Sequence, residues 1–289
     1  MISYIKRAAL DVEKYDSCIE NSAQSRIYAF SWYLDIVADN WDVLVLNDYE
    51  AVMPIPWKQK FGLKYVTQPY FCQQLGIFSK EEISEEIQRQ FIRKIPLKFL
   101  KINYNLNANS YGNKYTSDKK NYCLSLNEDY ENSYKKFSKT RKQRVQLGIK
   151  KKLLIKNTSI HELLEIQKTF YSYEGFSSET ILKLSHFLVK SKKGKFLGVY
   201  EENKLLGGGL FIHSSKRIVY LYSSFTHEGR KLQAASFLIH YVIKEHQKTN
   251  ILFDFEGGNI NTIEAFFKSF GAVQEIFRNY NQNILQRFF

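Results

Sequence analysis

Cysteine, proline, methionine and tryptophan are all scarce in this 289-residue sequence, at three, four, two and three copies. The three cysteines, Cys18, Cys72 and Cys123, are an odd number with no short spacing, which excludes a disulfide framework and a CxxC-type metal site. They read as reduced thiols of a cytoplasmic protein. Four prolines and 14 glycines exclude collagen-like and low-complexity chains. No window approaches 18 uninterrupted apolar residues, and Asp11 and Glu13 arrive before any stretch long enough for a signal peptide. The chain is therefore expected to be neither secreted nor membrane-spanning. G-x-S-x-G and Walker-type loops are absent, as is any His/Cys/Asp cluster with metal-ligand spacing, so no metal is expected. Acidic residues are the last shortage: 29 Asp and Glu against 42 Lys and Arg leave a formal charge of +13. An anionic partner is the first implication of that excess.

What is present is a globular composition. Apolar residues make up 44%, and at roughly 150 residues per domain the length suits two domains. Tyrosine and phenylalanine, 20 and 22 copies, supply ring packing for two cores. Ser25 to Asp39 carries Ile27, Phe30, Leu34 and Val37 at helical spacing, and Trp41 to Leu46 reads as a buried strand. Further strands are expected at Ala51 to Trp57, where two prolines suggest an edge or a bulge, at Phe71 to Phe78, and at Leu97 to Tyr104. A helix from Glu81 to Lys94, capped by Ser79, should separate the last two. The second half repeats the order: helices from His161 to Phe170 and Glu179 to Lys190, strands at Lys195 to Tyr200, Leu205 to His213 and Arg217 to Phe225, a helix from Arg230 to Gln247, and a strand at Asn250 to Phe255. Helix, strand, turn, strand, strand, helix, strand thus appears twice, which argues for a duplicated α/β domain. The division expected is 1–130 and 157–289, joined by a basic segment at 131–156.

That segment is the most biased of the chain. Lys135 to Lys156 holds ten Lys or Arg and no acid. Phe137, Arg141, Arg144 and Lys151 fall along one helical face, so the expectation is a basic helix broken near Gly148, offering Arg141 and Arg144 to phosphate groups. The equally simple alternative is a solvated linker helix.

The strongest chemical candidate is the strand-to-helix junction from Ser223 to Ala235. A strand that ends in a glycine-containing loop before a basic helix start presents unpaired N–H groups to an anion such as pyrophosphate. Phe225, Gly229, Arg230, Lys231, Leu232, Gln233, Ala234 and Ala235 would form that cradle. Asp254 and Glu256 are i, i+2 on the last strand, so both are expected to point to the same face, next to Gly257 and Gly258.

This order of elements, with a phosphate-type loop between strand and helix, resembles the GNAT acyltransferase superfamily. Of its Q/R-x-x-G-x-G/A signature only Gly229, Ala234 and Ala235 are echoed. The sequence is more similar to the FemAB-like branch of tandem GNAT domains, through Lys139-Thr-Arg-Lys-Gln-Arg-Val, Phe253-Asp-Phe-Glu-Gly (Y/F-D-F-x-G) and Phe266-Phe-Lys-Ser-Phe-Gly (F-K-x-x-F-G). These motifs lie within residues 139 to 272. The resemblance implies an α/β (α+β) fold of two GNAT-like domains, each a mixed, largely antiparallel sheet flanked by helices. It implies acyl-CoA (acetyl-CoA in most GNAT enzymes) or aminoacyl-tRNA as donor, bound in the second domain. The acceptor would be an amine on a small molecule, peptide or cell-wall precursor, bound between the domains.

Acyl transfer to an amine needs a base, a donor to the carbonyl oxygen, and orientation of the reactants. Glu256 is the expected base and Asp254 its orienting or structural partner, with His227 and Tyr222 as further candidates. In the GNAT arrangement that the sequence resembles, the N–H of Phe225 falls where an oxyanion donor would stand. On the acceptor side, Gln73 and Gln74 follow a proline turn, and Tyr173 and Glu174 lie in a loop at the position where GNAT domains meet acceptors. One departure matters: the Lys of F-K-x-x-F-G, and the Tyr that often serves as acid in GNAT enzymes, both fall on Phe267. The competing reading is therefore a catalytically silent tandem-GNAT protein that binds RNA or another polyanion through the basic segment.

Overall fold

The computed structural model describes residues 1–170 and 178–287. The chain forms two compact units, one of residues 1–119 with 276–289, the other of 120–275. One border, between 119 and 120, lies N-terminal to those expected at 130 and 157, and most of the last strand joins the first unit. The basic segment is no linker; it lies within the second unit.

The first unit runs β1 (Ile2–Lys6), α1 (Val12–Asn21), α2 (Ser31–Val37), β2 (Asn40–Leu46), β3 (Ala51–Lys60), β4 (Leu63–Thr67), the two-residue β5 (Phe78–Ser79), α3 (Glu85–Lys94) and β6 (Phe99–Leu106). β7 (Thr116–Ser125) then carries the chain into the second unit, which continues with α4 (Tyr130–Lys135), α5 (Lys139–Lys150), β8 (Leu154–Asn157), α6 (Ile160–Phe170), α7 (Ser178–Lys190), β9 (Gly194–Glu201), β10 (Lys204–His213), β11 (Arg217–Phe225), α8 (His227–Lys231), α9 (Ala234–Glu245), β12 (Leu252–Asp254) and α10 (Asn261–Lys268). β13 (Val273–Asn283) returns to the first unit. The sheet order β1-β2-β3-β4-β6 is matched by β8-β9-β10-β11-β12. In both, the first four strands are antiparallel and the last pair is parallel. This is the duplicated mixed α/β architecture that the element order indicates.

Several elements differ from their sequence expectation for local reasons. Phe71 to Phe78 contains only the short β5, because Phe71 and Gly76 adopt φ of +59 and +107 and break an extended run. The backbone there is satisfied by long-range partners: Leu75 donates to the carbonyl of Asn105, and Gly76 to the Tyr104 hydroxyl, at 2.9 and 2.8 Å. α3 begins four residues later than expected, capped by Ser84, whose hydroxyl accepts from Ile87 N–H; Ser79 Oγ instead accepts from Glu81 N–H. Pro54 and Pro56 sit in a strand with β2 on one flank, but on the other flank β5 reaches only Val52 and β4 starts at Trp57. The missing N–H groups therefore fall at a local gap, where the Tyr104 hydroxyl donates to Pro54 O at 2.7 Å.

In the second unit the core gathers Tyr122, Leu124, Val145, Val199, Phe211, Ile218, Leu238, Ile239, Phe253 and Phe255. α5 is unbroken through Gly148. A side chain at that position would stand 2.7 Å from the Phe237 ring, so the glycine allows α5 to approach α9. Val145 and Arg141 point into this contact, and Phe137, just before α5, is buried as well. The accessible face expected from Phe137, Arg141, Arg144 and Lys151 does not exist; only Arg144 and Lys151 of that set reach solvent.

Two histidines link the core to pH. His240 meets the Tyr130 hydroxyl through Nδ1 at 2.5 Å, and the rings of His213 and His246 stand 5.4 Å apart. Burial pushes both His213 and His240 down to about 4, assisted by His246 and Lys195 for the first and Lys244 for the second. An unfolded imidazole titrates near 6.5, so below that pH the unfolded chain binds more protons than the folded one. Stability present above about pH 6.5 is thus lost as pH falls toward about 4. Urea midpoints measured from pH 7.5 to 4.5 should decline, and His240→Gln should flatten the decline; identical slopes for the two proteins would contradict this account.

Candidate active site

β11 and β12 separate after a short parallel pairing. Their register is Arg217↔Leu252, Ile218↔Phe253 and Val219↔Asp254; β12 ends there while β11 runs on to Phe225. The chain after Asp254 leans the other way: Phe255 donates to the carbonyl of Tyr122, and Gly257 to Asn121 Oδ1, both at 3.0 Å. Glu256, between them, is half-buried and has a φ of +53, a left-handed conformation that costs an L-residue on the order of 1 kcal/mol. Strand alternation therefore stops at Asp254. The expectation that Asp254 and Glu256 share a strand face is corrected: Asp254 is 1% exposed and points inward, and its Oδ1 accepts the Glu256 N–H at 3.0 Å.

A buried ionic network holds the fork. Arg217 Nη1 lies 2.7 Å from Asp254 Oδ2 and 3.1 Å from Cys123 Sγ, while Nη2 lies 2.7 Å from Glu275. Asn121 Nδ2 donates to Asp254 and Glu275 at 2.9 and 3.0 Å, while its Oδ1 receives Gly257. Burial works against the guanidinium's charge, but Asp254, Cys123 and Glu275 outweigh it and raise the pKa of Arg217. Cys123, Asp254 and Glu275 bring three potential metal ligands within 4.8 Å of one another, a cluster that sequence spacing hides. Arg217 already supplies the cation among them.

Across the fork, Phe225 ends β11 and Thr226 caps α8, accepting from Gly229 N–H and donating to Leu206 O at 3.0 and 3.1 Å. Gly229 is obligatory here, since a Cβ would meet Leu206 O at 2.1 Å. The helix expected from Arg230 is instead two helices. α8 ends at Lys231, Leu232 follows, Gln233 takes a φ of +60, and α9 starts at Ala234 with no acidic residue in its first turn. Ala234 is buried and Ala235 half-buried, whereas Arg230 and Lys231 are exposed.

The basic motif also contributes differently from expectation. Arg141 is 2% exposed and packs against the edge-to-face pair of Phe266 and Phe270, its guanidinium carbon 4.2 and 4.5 Å from their centroids. Nε donates to Ser269 Oγ at 2.8 Å and Nη1 to Ser236 Oγ, one turn into α9. Burial, with the neighbouring Arg144 charge, lowers its pKa to about 10. No carboxylate pairs with it among the described residues. Phe267, where an acid was sought, is buried against Phe255 and Tyr122 at ring distances of 4.7 and 6.5 Å.

The other candidates stand apart. His227 is exposed at the first position of α8, and the half-buried Tyr222 hydrogen-bonds Gln167 through its hydroxyl. Gln73 and the fully buried Gln74 bond to each other in the first unit. Tyr173 and Glu174 lie outside the described residues. The first unit has no equivalent fork: β4 stops at Thr67, paired with Asn103, and the Gln68 amide fills the next position, its Oε1 accepting Asn105 N–H at 3.0 Å and its Nε2 donating to Cys72 O at 2.8 Å. Sequence reasoning missed Asn121, Arg217, Glu275, Ser236 and Ser269. The one available signal was opposite charge, Arg217 and Asp254, inside two otherwise apolar strands.

The chain is similar in structure to FemX over 96% of each chain, with a TM-score of 0.70 at 11% identity. It is similar to the C-terminal DUF2156 domain of a putative lysylphosphatidylglycerol synthetase from Agrobacterium fabrum (TM-score 0.56, 10% identity, 94% of this chain and 91% of that one). A tandem GNAT protein from the clavulanic acid biosynthesis pathway matches with a TM-score of 0.56 at 8% identity, covering 98% and 99%. No family model matches the sequence, and no curated protein does. The fold is FemAB-like, of GNAT type.

If Arg217 holds the fork, its loss leaves two acids buried without a cation. Arg217→Ala should lower unfolding free energy by about 3–5 kcal/mol, and Arg217→Lys by less, because a single ammonium cannot bridge both carboxylates. Denaturant titration of the two variants checks this, and a fully stable Arg217→Ala would refute it.

Proposed function

We propose that the protein is an N-acyltransferase, moving an acyl or aminoacyl group from acyl-CoA or aminoacyl-tRNA to an amine acceptor. The observation that carries this reading is the fork itself: β11 outruns its parallel partner, and α8 and then the N-terminus of α9 follow it in the chain. A strand edge left without its neighbour offers peptide groups to an extended donor, and the α9 N-terminus offers N–H groups and a positive dipole to phosphate. Phe225 and the stretch from Gly229 to Ala235 are the proposed donor contacts, with Arg230 and Lys231 adding charge.

In the proposed reaction the acceptor nitrogen attacks the donor carbonyl carbon and the carbonyl oxygen takes up negative charge, received by backbone N–H groups at the end of β11. Glu256 accepts the proton that the nitrogen loses. Collapse breaks the bond to the thiolate or to the ribose oxygen, and the leaving group is reprotonated, with Tyr222 and His227 as donor candidates. Asp254 is not available as base; its carboxylate is engaged by Arg217, Asn121 and the Glu256 N–H, which makes it a positioning residue. No step requires a metal. The proposed location is the cytoplasm, where both donor classes occur.

One feature favours the second reading, a silent polyanion-binding protein. Phe267 is buried where an acid was sought, and α5 exposes Lys139, Arg144 and Lys150 without carboxylate partners among the described residues. Thermal unfolding with coenzyme A, acetyl-coenzyme A and bulk tRNA at two salt concentrations separates the cases. A salt-tolerant shift with coenzyme A supports a thioester donor, and a shift with tRNA that fades with salt supports aminoacyl transfer or the silent reading. Glu256→Gln then decides between those two: an enzyme should lose about a hundredfold in turnover with donor binding kept. Full turnover in that variant would remove Glu256 from the mechanism.

A further inference from the structure

A feature of the first unit is unrelated to acyl transfer. The hairpin between β3 and β4 turns at Phe61 and Gly62, with φ of +50 and +78. Such a turn, left-handed at both central positions, is ordinarily built from Asn, Asp or Gly. Phe61 bears the steric cost of that conformation while 92% exposed, with the Lys60 ammonium 5.4 Å from its ring centroid. Leu63 and Leu97 are 57% and 54% exposed. Leu97 lies two residues before Phe99, which pairs in parallel register with Lys64, so the three apolar side chains stand at one end of the sheet.

The two chain segments that form this tip carry charge of one sign. Residues 57–67 and 93–103 contain seven Lys or Arg and no acid. Lys58 meets Asp39 at 3.1 Å, but Lys60, Lys64, Lys98 and Lys101 form no ion pair among the described residues. Burial lowers the pKa of Lys98; of the charges around it, Asp42 opposes that shift and Lys64 and Lys6 add to it. Lys60, Lys64 and Lys98 lie over the rings of Phe61, Trp57 and Tyr4 rather than in ion pairs, and an exposed aromatic tip with this excess of ammonium groups is unfavourable against a second copy, which carries the same charge. An anionic bilayer satisfies both halves: its interface takes the ring and the leucines, and its phosphates take the ammonium groups.

We propose that the Phe61 hairpin, with Leu63, Leu97 and the surrounding lysines, is a docking tip for anionic membrane surfaces. No helix of the described residues is long and apolar enough to cross a membrane. The tip would hold the protein at the interface reversibly, through shallow insertion and electrostatic attraction.

The test uses co-sedimentation with phosphatidylcholine vesicles, with and without about 30% phosphatidylglycerol. The full chain should bind the anionic vesicles, more weakly as salt rises, and scarcely bind the neutral ones. Phe61→Asn should unfold at a higher temperature than the parent, because asparagine suits the left-handed turn, and should bind at least about tenfold more weakly. Lys60→Glu with Lys64→Glu should weaken binding by a similar factor. Absence of binding to the anionic vesicles would overturn the proposal, as would Phe61→Asn binding as well as the parent. Concentration-dependent dimers that Phe61→Asn dissolves, or capture of an acidic protein with no vesicle binding, would also overturn it.

Discussion

The buried contact between Arg217 and Asp254 fixes where two strands part, and the site follows from that point. Arg217 and Asp254 lie two positions apart along the parallel register, a diagonal that only a long side chain spans. With Glu275 and Asn121 drawn in, the network ends β12 and turns the chain toward β7. The left-handed turn at Glu256 is then held by one hydrogen bond to Asp254 before it and one from Gly257 to Asn121 after it. A charge cluster of this kind is costly to desolvate, and replacement by apolar side chains would often stabilise a core. Its contribution here is positional, since apolar packing would not specify the same turn.

Elements whose information is local were legible in the sequence. β9, β10, β11 and α9 have strong apolar runs or a helical stripe, and each was placed within a few residues. The unread elements, β1, α1, β4, β7, α4, α10 and β13, are short or polar. β7 begins Thr-Ser-Asp-Lys-Lys and pairs with β12 more than 120 residues away, so nothing in its own composition announces a strand. The site was legible to the same degree. Asp254 and Glu256 were singled out by their strand spacing, and the proposed donor stretch from Phe225 to Ala235 by its strand-to-helix junction. Glu256 leaving the strand, Gln233 dividing two helices and Arg141 turning inward all depend on φ angles and partners supplied by distant segments.

The duplication is equal in order and unequal in detail. Both halves end in a parallel strand pair, but in the second it is the earlier strand, β11, that runs on past its partner, whereas in the first it is β6 that runs on past the end of β4. In the first, the Gln68 side chain occupies the space where a fork would open, and it does so with two backbone partners. One amide side chain thus distinguishes a closed copy from an open one. Arg141 shows the opposite economy, a cation placed among hydroxyls and rings with no acid to neutralise it. Aromatic faces and hydroxyl oxygens solvate a guanidinium far better than an ammonium.

The return of β13 to the first unit bears on the order in which the chain can fold during synthesis. Residues 1–119 emerge first, yet the edge of their sheet beside β6 stays open until Arg278 to Asn283 follow, by which time the whole second unit has been made. β6 must therefore wait with an unpaired backbone, a state prone to mispairing with other nascent chains. The second unit is continuous in sequence and can close before the first. Folding order should thus run against reading order, with the later half stable early and the earlier half completed last.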